Sequence, residues 1–336
     1  MRMLLRHVLS VLLLTVANDL QGQTRLLVQD STLNNLQHPS GTVTATHGTL
    51  GRLRKVGQGP RAMVLIAGLG FGEGIWSEFM DRHKNDYTMY AVALPGFGGS
   101  APLAMPPEGS RYAEIPWTRS TIQALETLLD AERLDKVTIV AHWALATQIA
   151  LRLALDRPDR IEAVVIIGGP LKAYFASTPG MMSWTAEQRA NFADGFGQRW
   201  FKTVTRQTWD DNNFMSYDYA VNPLRGLFLW REAQAPTLPV WIRYLLEFYT
   251  MDSAPNLKDL RVPTLVVQPG FDDPGFYVDT GRDYMRNFCH DSWKGAAELT
   301  NRLEFVTISQ SRLFVMHDQP EQLDQALERF FRKLAR

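Results

Sequence analysis

Six short apolar runs constrain this chain more than any other feature. They are Ala62–Ala67, Tyr87–Leu94, Lys136–His142, Ile161–Ile167, Pro263–Gln268 and Leu303–Ile308. Each is rich in Val, Ile, Leu or Ala and too short to be a buried helix. Helical patterns lie between them, clearest at Trp117–Glu132, Ala146–Leu155 and Pro320–Leu334. Continuous apolar strands separated by helices predict an α/β fold: a mostly parallel sheet, buried on both faces by helices and joined by right-handed crossovers. Two further β-rich segments, Gly41–Leu50 and Arg52–Val56, precede the first run.

The rhythm breaks once. Residues 170–259 separate two strands that need only a short crossover, so this stretch is expected to be an inserted helical cap on a core of residues 41–169 and 260–336. The insert carries Trp184, Trp200, Trp209, Trp230 and Trp241 with several Tyr and Phe. Such a density suits a lid over an apolar cavity. It equally suits aromatic side chains that hold the cap's own helices together.

Thirty-five basic residues balance thirty-five acidic ones. With no global field to attract a polyanion, nucleic acid is not expected as a partner, and a small apolar molecule is. Oligomeric state is not legible. Residues 1–22 differ in texture. Arg2 and Arg6 precede an apolar run, Val8–Ala17, and polar Asn18, Asp19 and Gln21 follow. The pattern reads as a signal peptide, cleaved after Ala17 or Gly22, and implies a secreted or periplasmic protein. The run is too short for a stable membrane anchor. Cys289 is the only cysteine, which excludes an intrachain disulfide, and the seven histidines show no zinc-site spacing. Neither a metal nor another cofactor is expected.

Chemistry should lie where strands run into turns. Met63–Ala67 leads into a turn with glycines at 68, 70, 72 and 74, but Glu73 stands where a dinucleotide fingerprint needs its third glycine. Leu94-Pro-Gly-Phe-Gly-Gly-Ser100 ends the next strand, and Val137–Ala146 leads a strand into a helix. Later come Val262–Pro274, with its Gly270-Phe-Asp-Asp273, and Phe314-Val-Met-His-Asp-Gln-Pro-Glu321. In this order, over about residues 60–336, the segments resemble the α/β-hydrolase superfamily. The resemblance implies an oxyanion-hole turn at Gly68-Leu69, a nucleophile elbow at Ala141-His-Trp-Ala-Leu145, an acid at Asp273 and a base at position 313.

Two of these positions depart from the pattern. The elbow is G-x-S-x-G, a strained turn that exposes a serine. Here Trp143 holds the serine position, and an indole has only an N–H donor. Ala144 and Leu145 follow, and with a bulky Leu145 the turn is expected to have relaxed. Position 313 is a leucine, which accepts no proton. His142, beside the elbow, and His317, one helical turn past Leu313, are the candidate substitutes, with Asp273 as their acid. Asp272 caps the following turn on this reading, and Cys289-His290 are a buried thiol and a surface imidazole rather than a pair. Two functions remain open: an enzyme with a non-standard constellation of Asp273, His142 and His317 acting on a small apolar substrate, or a non-catalytic protein that binds an apolar ligand under its cap.

Overall fold

The computed structural model describes residues 42–44, 50–173, 178–212, 216–275 and 283–335. The leader-like residues 1–22 lie outside the described residues. The strands are β1 (Thr42–Thr44), β2 (Arg52–Val56), β3 (Arg61–Ile66), β4 (Tyr87–Ala93), β5 (Val137–His142), β6 (Ile161–Ile167), β7 (Thr264–Pro269) and β8 (Leu303–Ile308). They form one sheet in the order β1-β2-β4-β3-β5-β6-β7-β8. β1 with β2 and β2 with β4 are antiparallel, and every other pair is parallel. The expected α/β architecture, a mostly parallel sheet flanked by helices, is therefore present.

The six runs became strands because burial on both faces rewards unbroken apolar sequence. All six residues of β5 are buried. Within segment 41–50 the described residues are β1 and Leu50, which lies in the loop before β2. The helices packed on the sheet are amphipathic. In Pro320–Leu334 the buried residues are Leu323, Ala326, Leu327, Phe330 and Phe331, one stripe at three- and four-residue spacing. Helix α1 (Ser77–His83) follows β3, α2 (Pro116–Ala131) follows β4 and α3 (Leu145–Asp156) follows β5.

Between β6 and β7 lie α4 (Ala186–Thr203), α5 (Arg206–Asn212), α6 (Pro223–Gln234) and α7 (Leu238–Thr250), with a single helical turn at Ser216–Tyr219. This cap is fastened to the core by buried polar groups. Glu247 of α7 accepts from the backbone N–H groups of Trp117 and Thr118 and from the Thr118 hydroxyl. Its charge thus sits at the positive end of α2. The cap's aromatic rings make one continuous series of contacts from Trp184 through Phe192, Phe196, Trp200 and Trp209 to Trp241. Trp241 then meets Phe97 of the core, at 5.6 Å between centroids. Among the described residues no helix is long and apolar enough to cross a membrane.

Candidate functional site

The elbow sits between β5 and α3. The strand ends at His142 and the helix begins at Leu145, so two residues must turn the chain. Such a reversal needs positive φ, and Trp143 has φ +66° while Ala144 has φ +49° and ψ −120°. For a bulky residue this conformation costs about 1–3 kcal/mol and persists only where the surroundings impose it. Strand pairing to β3 and β6 on one side and a buried helix on the other do so. The expected relaxation of the turn is therefore corrected: the elbow keeps its strained form without a serine. Nor does Leu145 obstruct it. Leu145 is fully buried, and α3 comes close to the chain just past β6 at Gly169, where an added Cβ would lie 1.8 Å from the Thr147 hydroxyl oxygen.

The indole of Trp143 is 2% exposed and packs on the turn assigned to the oxyanion hole. A Cβ on Gly68 would stand 2.8 Å from both its Cβ and Cδ1. Its ring also meets Phe288, in helix α8 (Asp283–His290), at 5.3 Å, and Phe288 meets Phe248 of the cap. Gly68, Leu69, Trp143, Ala144 and Leu313 are brought together in the core, all of them buried.

The acid is present but engaged. Asp273 is buried, and both its oxygens accept from the Arg312 guanidinium, from Nε at 2.9 Å and from the second terminal nitrogen at 2.7 Å. This fork-to-fork pair uses the geometry that arginine and carboxylate share. The same guanidinium donates to the Tyr217 and Ala220 carbonyls of the cap. Leu313 N–H donates to Asp218 O, and Phe314 N–H to Tyr219 O at 2.9 Å. Asp318 accepts from the N–H groups of Val221 and Arg312. The loop after β8, where the resemblance implies a histidine, forms a clasp that holds the cap segment 217–221.

His142 and His317 do not reach Asp273 through any hydrogen bond among the described residues. His142 donates from Nε2 to Leu313 O at 3.3 Å, and His317 from Nε2 to Ile75 O at 2.8 Å. Each Nδ1 is then a bare lone pair, buried and unpartnered. Phe314 lies between the two rings. Burial pushes both imidazoles down to about 3, so both are neutral at pH 7. Each donates its single N–H to a carbonyl, which leaves no carboxylate to orient it as a base.

The remaining candidates fall away from chemistry. Asp272 is exposed and accepts from Gln310 N–H at 2.6 Å, tying the two turns that follow β7 and β8. Cys289 is buried, donates to Gly168 O, and has its thiol pushed well up by burial. His290, half-buried, is bonded to Pro269 O. Among the described residues no group of three or more His, Cys, Asp or Glu converges to hold a metal ion. Sequence reasoning missed Arg312. The available signal was an arginine directly before the leucine that replaces the histidine.

Comparison with known proteins identifies the family and the fold. The sequence profile of the alpha/beta hydrolase family matches residues 63–326, and the chain belongs to that family. Pimeloyl-[acyl-carrier protein] methyl ester esterases are among its relatives. The one from Legionella pneumophila (strain Corby) is 26% identical over 215 residues, covering 63% of this chain and 76% of the relative. The one from Proteus mirabilis is 24% identical over 127 residues, 38% of this chain and 43% of the relative. The chain thus matches less than half the length of several of these esterases. Among solved structures, an esterase from Thermogutta terrifontis superposes with a TM-score of 0.61 at 17% identity, covering 88% of this chain and 97% of that one. A hydrolase from Pseudomonas aeruginosa gives 0.59 at 15% identity, covering 87% and 98%. These structures share the fold.

Proposed function

We propose that this chain is an exported, non-catalytic member of the alpha/beta hydrolase family that works by holding a small, mainly apolar ligand between its cap and its core. The observation that carries this reading is the Trp143 indole, buried against Gly68 at the place where a nucleophile is presented. Ester hydrolysis of the kind named for its esterase relatives needs a hydroxyl or thiol and a base held by an acid. Position 143 offers an indole, position 313 an alkyl chain, and Asp273 is already neutralised by Arg312. The run of cap aromatics, several of them partly exposed, supports an apolar ligand. The charged start and short apolar run of residues 1–22 support export.

The test is a screen of the full chain on p-nitrophenyl esters, lactones and epoxides beside labelling with a serine-directed fluorophosphonate. The expected result is no turnover above buffer and no label. Stoichiometric labelling of any serine overturns the non-catalytic reading. Export is checked separately by N-terminal sequencing, which should begin near Asn18 or Gln23.

A further inference from the structure

A cavity of about 440 Å³ opens between cap and core at the carboxyl ends of β3 and β4, away from the buried elbow. Parallel sheets bind ligands at such strand ends. Its charged lining residues are Arg52, Arg54 and Glu73 from the core and Glu232 from α6. Much of the rest is glycine backbone. The chain segments at Gly72 and Gly98 touch there, since a Cβ on Gly72 would come within 2.8 Å of Gly98 Cα. Val240, Pro102 and Pro236 supply an apolar wall.

The charges are arranged unevenly. Arg54 and Arg52 both approach the same oxygen of Glu73, Oε1, at 3.1 and 3.3 Å. Arg52 also donates to Gly98 O. Glu73 is 3% exposed, and its second oxygen, Oε2, makes no hydrogen bond among the described residues. That oxygen would lie 3.2 Å from a Cβ on Gly98. On the other side of the Gly72–Gly98 contact, Glu232 accepts from Gly72 N–H through Oε1 at 2.9 Å and has no cationic partner among the described residues. Two carboxylates thus flank one glycine contact, each with an oxygen uncommitted, and both arginines lie on the far oxygen of Glu73.

We propose that this cavity binds a small organic cation, a primary ammonium with a short aliphatic body. Its N–H groups are shared by Glu73 Oε2 and Glu232, and its methylenes lie on Val240, Pro102 and Pro236. The proposal rests on the binding reading above and specifies the ligand's head group. Burial and the nearby charge of Glu73 raise the Glu232 carboxyl to about 7 in the empty site. An arriving ammonium favours its ionised form, so binding at pH 7 sends about half a proton from Glu232 to the buffer.

The test uses the full chain with n-butylamine, n-butyrate and n-butanol as probes. Binding is followed by ligand-observed NMR, and proton release by calorimetry at pH 7 in two buffers of different ionisation enthalpy. Butylamine should bind more tightly than either other probe and release protons. Glu232→Gln should weaken it by about tenfold or more and abolish the release. The glutamine carbonyl still accepts from Gly72 N–H, so the cap contact survives in the variant. Tighter binding of butyrate or butanol, or butylamine binding unchanged in Glu232→Gln, overturns the ammonium site while leaving the binding reading standing. Turnover in the activity screen overturns that reading and leaves this site to be judged by its own titration.

Discussion

The turn after β5 and the loop after β8 carry Trp143 and Leu313 at the two positions where the family resemblance implies a serine and a histidine, yet the two regions are built differently. At the elbow the backbone is unchanged in kind and only the side chain differs. Trp143 holds the positive φ because a strand and a helix joined by two residues need it, whatever chemistry follows. In the β8 loop the partners have been reassigned. Asp273 pairs with Arg312, and the loop's own N–H groups bind the cap. Backbone shape at the first site is imposed by the sheet, whereas side-chain partnership at the second is free to serve another end.

The strongest way to break this contrast is at the clasp. Arg312→Met leaves Asp273 buried without its cation and removes the bonds to Tyr217 and Ala220, with an expected cost of ~3–5 kcal/mol in denaturant unfolding. Arg312→Met with Asp273→Leu should recover most of that loss, because no buried charge is left alone. A single variant as stable as the parent would mean that the pair does not hold the cap.

At the elbow the expected losses are of similar size, and two variants separate lost packing from backbone strain. Trp143→Ala empties the space beside Gly68 and Phe288, at ~3–5 kcal/mol, and keeps the strained φ. Trp143→Gly leaves the same space but adopts φ +66° without strain. Glycine should therefore be the more stable of the two by ~1 kcal/mol. The reverse order would show that the turn relaxes once the indole is gone.

Acid provides a third comparison, between buried bases and buried acids. His142 and His317 have folded values near 3, below the unfolded 6.5, so the unfolded state binds more protons and each imidazole lowers stability as pH falls through that window. Asp318, raised mainly by burial to about 6, and Glu232, raised to about 7, act in the opposite sense between those values and about 4. The two pairs offset each other from about pH 6 to 4.5, and from about pH 4 to 3 the histidines remain, joined in the same sense by Asp324, whose carboxyl, despite its burial, is held below the ordinary value by His83 and Arg82. Thermal midpoints should stay nearly level over the first interval and fall steeply over the second, at about 1.4 kcal/mol per pH unit for each histidine. His317→Gln should remove one proton from that slope. A steady decline from pH 6.5 would mean that the acids are not raised as the packing implies.

The sequence carried the fold because the fold is written in local pattern. Ile161–Ile167, Leu303–Ile308 and Pro320–Leu334 end where apolar periodicity ends. Trp143 and Leu313 were legible too, since an indole and an isobutyl group offer neither a nucleophile nor a base in any conformation. The sequence did not carry the elbow's shape. That depends on how few residues separate β5 from α3 and on Gly169, near in space but distant in the chain, giving the helix room. Nor did it carry Arg312's partner, because a bidentate pair spanning 39 positions leaves no periodic trace. The cavity at Glu232 is formed by segments far apart in sequence and was equally invisible.

The smallest expected effect is also the sharpest test of the contrast: a trace of esterase activity restored by design. If the elbow kept its shape, Trp143→Ser presents a hydroxyl where the indole now lies. That serine stays a poor nucleophile until a base takes its proton, and Leu313→His supplies one. The histidine then needs an acid to orient it, and Asp273 is held by Arg312 on both oxygens. Trp143→Ser with Leu313→His should therefore give almost no p-nitrophenyl acetate hydrolysis. Adding Arg312→Met frees the carboxylate and should produce a low but measurable rate. The three effects are non-additive, because each group acts only through the next. Leu145→Gly should not help, since the turn already forms with leucine there and a buried side chain would be lost. Far-ultraviolet circular dichroism and a cooperative melt must first show each variant folded, as the serine leaves a cavity and the methionine opens the clasp. A folded triple variant no faster than buffer would place the fault at Gly68-Leu69, meaning that the oxyanion turn was lost with the nucleophile. Activity in the double variant without Arg312→Met would instead show that Asp273 exchanges its arginine for a histidine unaided, and the two regions would then differ less than their hydrogen bonds imply.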